Sequence, residues 1–595
     1  MCGIAGVVNK PAVTEADVAG MIDCVRYRGV DEAGVKRVGP AIMGHARLAV
    51  VDPENGHQPM CNTDQTVWVT FNGEIYNYVE LREELKSKGY RFKSRCDTEV
   101  LVHLWREEGE KMLDRLIGMF AFFLWDTKLD RGILVRDRQG IKPCFITRDG
   151  QGLAFASEMK SLLSLPGFAA EVNDNGLVQV FAFNYCPPPE TCFKNIIHLD
   201  PGTYLLFEGT KEPVQKRYWQ WPFYEERRVP SSEEFSALLD DVVRMQMRFD
   251  VPGGIYLSGG VDSTVVAGHL VRQWNEPLLK GVALDFAEPQ YSELAHSRKV
   301  AAKYGIDLSV VSMSSSKVPE LAASVVRHAE QPHGDFSFFL FYLLAEEAHR
   351  QKKIVMFSGD GPDETLVGFG HNERYLLSQG RVNFAVNSYF DTICYMKPAM
   401  RSELLSPDFI AATVDPLNRF EELVAPWRDL DPIEQITAYE STVLMPGNNL
   451  VKGDRMGARS SIEGRAPFLD HRVTELFVKL PVSEKFHDGV GKYYLKKYAL
   501  QNFDSDFIFR PKTMPTAPIG EWLKGPLYGW AHDVISTNDD GRFRTPNVLR
   551  MLDEHKKGLR NHTSQLRTIL MAKVWLNHFF VGSNRVHSSA LPVTV

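Results

Sequence analysis

The residues best suited to chemistry sit at the end of a short apolar run. Ile255-Tyr256-Leu257 passes into Ser258-Gly259-Gly260, then Val261-Asp262-Ser263-Thr264, then Val265, Val266, His269 and Leu270 at helical spacing. The pattern reads as strand, tight turn, helix. Two glycines let the backbone approach a ligand and take positive φ. The turn leaves N–H groups at a helix N-terminus, where anions bind. The usual phosphate loop carries a Lys beside its last glycine, and none stands here. Serine hydroxyls with Asp262 but no Lys suit the pyrophosphate of a nucleotide cleaved between its α and β phosphates. Asp262 is then placed to hold Mg²⁺ against it. The tripeptide alone fits equally a glycine-rich turn that binds nothing; SGGVDST as a whole favours nucleotide chemistry.

A second set lies near the start. Once Met1 is removed, Cys2 offers a thiol nucleophile with its own α-amine as base. The amine's ordinary pKa, about 7.7–8.0, leaves part of it neutral near physiological pH. The alternative is a small buried apolar residue. Asn72-Gly73, at the end of the apolar run Val67–Phe71, offers an amide side chain and a glycine N–H to a tetrahedral oxyanion, or else a hairpin turn. Arg47 could clamp a carboxylate bidentately or form a surface ion pair. Asp97, before a helical pattern, could hold an ammonium or cap the helix. Together with Cys2 these describe a site for a free α-amino acid with a cleavable side-chain amide.

Two kinds of element must position these groups. Residues 1–205 read as one β-rich domain, with strands at 41–44, 67–71, 120–125, 132–136 and 153–157 and helices at 78–88 and 98–109, an α+β sandwich. Residues 206–234 read as a linker, polar and Pro-bearing from 211 but packed, since it holds Tyr218 and Trp219. From 235, strands at 281–286, 308–313 and 353–357 alternate with helices at 292–303, 318–328 and 338–350, which predicts a doubly wound parallel sheet. Ligands sit at the carboxyl ends of such strands, where Ser358-Gly359-Asp360-Gly361-Pro362-Asp363-Glu364 follows Phe357. The remainder to about 580 reads as helical, and 581–595 as a disordered tail.

At 595 residues, at least two domains are expected. A formal net charge of −7 offers no electrostatic case for nucleic acid or an anionic membrane. The opening segment lacks the basic flank and apolar core of a signal peptide, and the run Leu116–Trp125 falls short of the roughly 20 residues of a spanning helix. Eight scattered cysteines without a CxxC pair predict reduced thiols and a cytoplasmic protein.

Met1-Cys2-Gly3-Ile4-Ala5-Gly6, Tyr27-Arg28-Gly29, Gly44-His45-Ala46-Arg47-Leu48, Phe71-Asn72-Gly73-Glu74-Ile75-Tyr76-Asn77, Cys96-Asp97-Thr98-Glu99 and the Arg136–Pro143 stretch resemble a class II glutamine amidotransferase domain. With SGGVDST and the later motifs, nearly the whole chain resembles the glutamine-hydrolysing asparagine synthetases. The resemblance implies an N-terminal-nucleophile αββα sandwich followed by an ATP-pyrophosphatase-type (adenine nucleotide α-hydrolase-like) domain with a helical C-terminal part. It implies that Cys2 attacks glutamine, that Asn72 and Gly73 form the oxyanion hole, and that Arg47, Leu48, Val51, Glu74 and Asp97 complete the glutamine pocket. For ATP it implies Leu257, Ser258, Gly259, Gly260, Asp262, Ser263, Leu284, Ser358 and Gly359. Asp262 and Asp363 would hold Mg²⁺-pyrophosphate, Asp360 would serve the adenylate step, and Lys512 would stabilise charge as the anhydride breaks. Without the family, Lys512 reads as a solvated surface residue. A dry passage between the two sites is implied as well, since released ammonia is protonated in water.

Several positions depart from the commonest family pattern: Tyr27, Val30, Asp285, Ser292, Pro362, the 365–370 run and Gly453. Many lie on the acceptor side of the second site, so the acceptor is the part least determined. Asp454 and Arg465 read equally as a structural ion pair or as substrate contacts. The expected partners are glutamine, ATP and a carboxylate acceptor, aspartate favoured, without nucleic acid or membrane and with a homodimer admissible. The competing expectations are the same chemistry on another carboxylate, an intramolecular cyclase, and a non-catalytic nucleotide-binding scaffold. Cys2 speaks against the cyclase, and the intact set Cys2, Asn72, Asp262, Asp363 and Lys512 against the scaffold.

Overall fold

The computed structural model describes residues 1–150, 152–379, 384–510, 517–537 and 540–581. Its first half is built from β1 (Gly3–Val8), β2 (Glu32–Val38), β3 (Ala41–Arg47), β4 (Met60–Cys61), β5 (Val67–Ile75), β6 (Gly118–Asp126), β7 (Arg131–Arg136), β8 (Phe145–Asp149), β9 (Gly152–Ala156), β10 (Ile197–His198), β11 (Thr203–Glu208) and β12 (Val214–Arg217). They form two six-stranded sheets, β10-β8-β9-β1-β3-β2 and β12-β11-β7-β6-β5-β4, antiparallel throughout.

The period of two along each strand assigns the layers. Ile4 and Val8 of β1 face Phe123 and Trp125 of β6 in the layer between the sheets. Ala5 and Val7 face the other way, onto Val18, Met21 and Ile22 of α1 (Glu15–Asp23). Phe120, Phe122 and Leu124 turn outward onto α2 (Tyr78–Ser87) and α3 (Glu99–Glu108). Four layers, αββα, follow.

The second half holds the parallel sheet β15-β14-β13-β16-β17, with β13 (Gly253–Tyr256), β14 (Lys280–Phe286), β15 (Asp307–Met313), β16 (Val355–Phe357) and β17 (Glu463–Arg465). The chain builds outward from β13 to β15, then returns to the other side of β13, so the strand order reverses between β13 and β16. Ile255, Leu257 and Phe357 pack beneath α4 (Ser232–Gln246) and α5 (Val261–Gln273). Val282 and Met356, on the opposite face, meet Ala345 and Ala348 of a later helix at Ser337–Arg350. The sheet is doubly wound.

Three points differ from the expectation. The sandwich does not end at 205: β11 runs to Glu208 and β12 adds an edge strand inside the expected linker. The linker's aromatics are packed as expected, with the Trp221 and Phe223 rings 5.8 Å apart and Trp219 donating to Glu475 at 2.8 Å. Its helix begins at Ser232 through a Ser231/Glu234 capping box. Finally, β17 lies in the stretch read as helical, because three residues are too few for a period to show. Apart from Val581, the expected tail lies outside the described residues.

All eight cysteines are free thiols. Among the described residues no helix is long and apolar enough to cross a membrane.

Candidate functional site

The first constellation lies where the two sheets of the sandwich meet at one end. Cys2 precedes β1, and Asn72 and Gly73 sit near the end of β5, opposite Ala121 and Phe120 of β6. Two cross-links fix the sheets together here: His45 Nε2 with the Phe71 carbonyl at 3.0 Å, and the Thr70 hydroxyl donating to the Gly44 carbonyl at 3.0 Å. The Cys2 thiol is buried against the Leu48 carbonyl at 3.7 Å. Burial pushes the thiol up, and the neighbouring α-amine pulls it back.

Asn72 is fully buried, yet neither atom of its amide has a hydrogen-bond partner among the described residues. Such an orphan is expensive inside a protein, and an oxyanion would satisfy it. Gly73 has φ of 149°, and a Cβ there would lie 2.0 Å from the Met119 carbonyl oxygen, so only glycine fits.

Arg47 lies buried at the end of β3. Its guanidinium donates to the Pro53 and Asp52 carbonyls, both at 2.8 Å, which holds it in place. Leu48 and Val51 belong to an apolar cluster shared with α4 and α5 of the second domain. Asp97 accepts from the Ile75 N–H at 2.8 Å, which ties it to the Asn72–Glu74 segment. Burial pushes its carboxyl up to about 6. Glu74 is raised by burial and by the charge of Glu463, and its partner is Arg465 at 3.2 Å.

The second constellation is at the carboxyl ends of β13 and β16. Gly260 donates its N–H to Ser258 Oγ at 3.2 Å, and Ser258 and Ser263 hydroxyls lie 3.1 Å apart. Gly259 takes φ of 75°, where a Cβ would meet the backbone of His296 and Ser297 at 2.6 Å. A Cβ at Gly359 would lie 2.6 Å from the Ser263 nitrogen, so the two loops touch backbone to backbone. Ser358 donates to Asp360 at 2.7 Å. Leu284 is half-buried on β14. Leu257 packs its side chain in the core with Ile255 and Val265, and its N–H is spent on the Val282 carbonyl. Any nucleotide contact it makes is through its carbonyl, and Tyr256 is the side chain that reaches the crevice. Lys512 lies outside the described residues.

Asp262 and Asp363 are brought together by a residue the sequence did not single out. Lys492 Nζ lies 2.6 Å from Asp262 Oδ2 and 2.8 Å from Asp363 Oδ1. Burial alone would lower this ammonium's pKa, but the two carboxylates raise it well above the usual lysine range. Their convergence on one cation is the arrangement a divalent ion would use, with phosphate oxygens completing an oxygen shell. Among the described residues no group of three or more His, Cys, Asp or Glu converges as a metal site. Arg510, donating to the Gly259 carbonyl at 2.7 Å, is a second residue not anticipated. Both lie far down the chain without a local motif.

Asp454 and Arg465 do not pair with each other. Asp454 is held by Arg28 at 2.8 and 3.0 Å, and Arg28 also donates to the Cys2 carbonyl at 2.8 Å. Arg465 bridges Glu463 and Glu74, and its carbonyl accepts from Ser358 N–H at 2.9 Å. Between the two constellations lies a cavity of about 60 Å³. Met1, Tyr76 and Met119 wall it on one side, and Ser358, Asp360 and Gly453 on the other.

Residues 1–219 match the glutamine amidotransferase domain family and residues 234–577 the asparagine synthase family. Asparagine synthetase [glutamine-hydrolyzing] 1 of Bacillus subtilis is 30% identical over 97% of this chain and 96% of its own length. A putative asparagine synthetase [glutamine-hydrolyzing] of Mycobacterium tuberculosis is 30% identical over 97% of each chain. The protein named amidase chyE of Penicillium rubens is 26% identical over 89% of this chain and 90% of its own.

Proposed function

Since this chain belongs to the asparagine synthase family, we propose that it hydrolyses glutamine at Cys2 and passes the ammonia to a carboxylic acid activated as an acyl-adenylate. Cys2 sulfur attacks the side-chain amide carbon of glutamine. The oxyanion is met by the Asn72 amide N–H and the Gly73 N–H. Ammonia leaves, and water then releases glutamate from the thioester. In the second site an acceptor carboxylate oxygen attacks the α-phosphorus of ATP and pyrophosphate departs. Ammonia displaces AMP from the acyl carbon, losing a proton to give the amide. Ser258, Gly260 and Ser263 orient the phosphates, and Asp262 and Asp363 would hold Mg²⁺, which would supply positive charge against the pyrophosphate.

The observation that most supports the coupling is the cavity whose wall includes Met1 at one end and Ser358 and Asp360 at the other. Ammonia crossing there avoids protonation by bulk water. Loss of Met1 would both expose the Cys2 amine and empty part of that passage.

The test is pyrophosphate release across a panel of carboxylic acids, with ammonium or glutamine as nitrogen donor. Cys2→Ala should abolish glutamine-driven product and spare ammonium-driven product. Equal loss of both would count against two sites.

Aspartate is the acceptor the family points to. The same chemistry on a different carboxylate is the second reading, and one observation favours it: a Cβ at Gly453 would meet nothing within 4 Å, so space stands open beside Asp360.

A further inference from the structure

A side chamber of about 30 Å³ adjoins the passage. The two share Ser358, Asp360, Gly453 and Gly464. Its back wall is Tyr256 at the end of β13, Phe341 and Ala345 on the helix Ser337–Arg350, and Ile462 just before β17.

Two features give it a chemical character. Gly453 lies inside the helix Leu450–Arg459, where glycine is unfavourable relative to alanine. Neither packing nor φ requires glycine there or at Gly464, since an added Cβ at each finds nothing within 4 Å. What these glycines provide is room. The chamber's polarity is also restricted. No lining residue is cationic among the described residues, Asp360 stands at the mouth, and the Ser358 proton is committed to Asp360. The Tyr256 hydroxyl is buried there without a hydrogen-bond partner among the described residues. A second carboxylate entering would lose its water beside Asp360 with no counter-charge in the chamber's own described lining.

Resting on the acyl-adenylate reading above, we propose that the acceptor is a monocarboxylic acid with a short uncharged arm. Its carboxyl end lies at the mouth beside Ser358, where the loop Ser258–Ser263 meets Gly359. The arm fills the chamber, and a hydrogen-bond acceptor at its tip meets the Tyr256 hydroxyl.

The experiment is pyrophosphate release by the full chain with Mg-ATP and ammonium, comparing pentanoate, 4-oxopentanoate and aspartate. The monoacids should exceed aspartate at least tenfold in kcat/KM. Gly453→Val, and more mildly Gly453→Ala, should lower the monoacid kcat/KM at least tenfold and about threefold, with the KM for ATP unchanged. Tyr256→Phe should remove the advantage of 4-oxopentanoate over pentanoate. An unchanged melting temperature of the full chain reports that each variant is folded. A preference for aspartate that is indifferent to Gly453→Val would overturn the proposal. So would an effect of Gly453→Val confined to the KM for ATP, which would assign the chamber to the nucleotide. Absence of pyrophosphate release with every acid would instead bring down the acyl-adenylate reading.

Discussion

Lys492 Nζ donates to Asp262 Oδ2 at 2.6 Å across 230 positions of sequence, and the same ammonium reaches Asp363 at 2.8 Å. Removing it takes away the ammonium that holds these two half-buried carboxylates together. Lys492→Met should therefore cut pyrophosphate release about 100-fold, the scale of losing one preorganised charge partner. Its half-saturating magnesium concentration should fall, because the competing ammonium is gone. Glutaminase activity should stay within twofold. Steady-state assays over a magnesium series check all three.

Asn72 carries an opposite expectation for activity and stability. An unsatisfied buried amide costs about 1–3 kcal/mol, so Asn72→Leu, similar in volume, should melt at or above the parent temperature. Its glutaminase kcat should fall about 10²–10³-fold through loss of an oxyanion donor, with ammonium-driven synthesis retained. Calorimetry and a glutamate-release assay separate the two effects.

Asp97 titrates within reach of ordinary assays. Burial raises its carboxyl to about 6, so it is charged above that pH and neutral below. If it holds the ammonium of glutamine, the KM for glutamine should rise as pH falls through about 6 and flatten above it. Asp97→Asn should show the high-KM behaviour at every pH. A KM independent of pH between 5 and 8 in the parent chain would remove Asp97 from substrate binding.

Gly359 is held by contact. A methyl group there would press on the Ser263 nitrogen at 2.6 Å and the Asp262 carbon at 2.8 Å, both backbone atoms that cannot rotate away. Gly359→Ala should part the two nucleotide loops and abolish pyrophosphate release. Glutamine hydrolysis, in a separate domain, should continue at the parent rate.

Much of this protein is local and was legible in its residues. The strand, turn and helix around SGGVDST depend on neighbours within a dozen positions, and so do the strand that ends in Asn72-Gly73 and the loop after Phe357. Glycines and a period of two or 3.6 encode them directly. Candidate nucleophile and oxyanion donors could thus be named from types and spacing, whereas the pairing of Asp262 with Asp363 was implied by the family resemblance. The tertiary structure decided which of them meet and what stands between them. The three-residue strand Glu463–Arg465 joins the sheet only because Phe357 and its neighbours offer an open edge. Which of Tyr256 and Leu257 faces the crevice follows from the register of β13, since a shift of one residue exchanges the two faces. Lys492 finds Asp262 and Asp363 only once the sheet has closed. Each of these is a long-range pairing, whose free energy depends on burial and distance in the folded chain, and no short window of sequence carries that information.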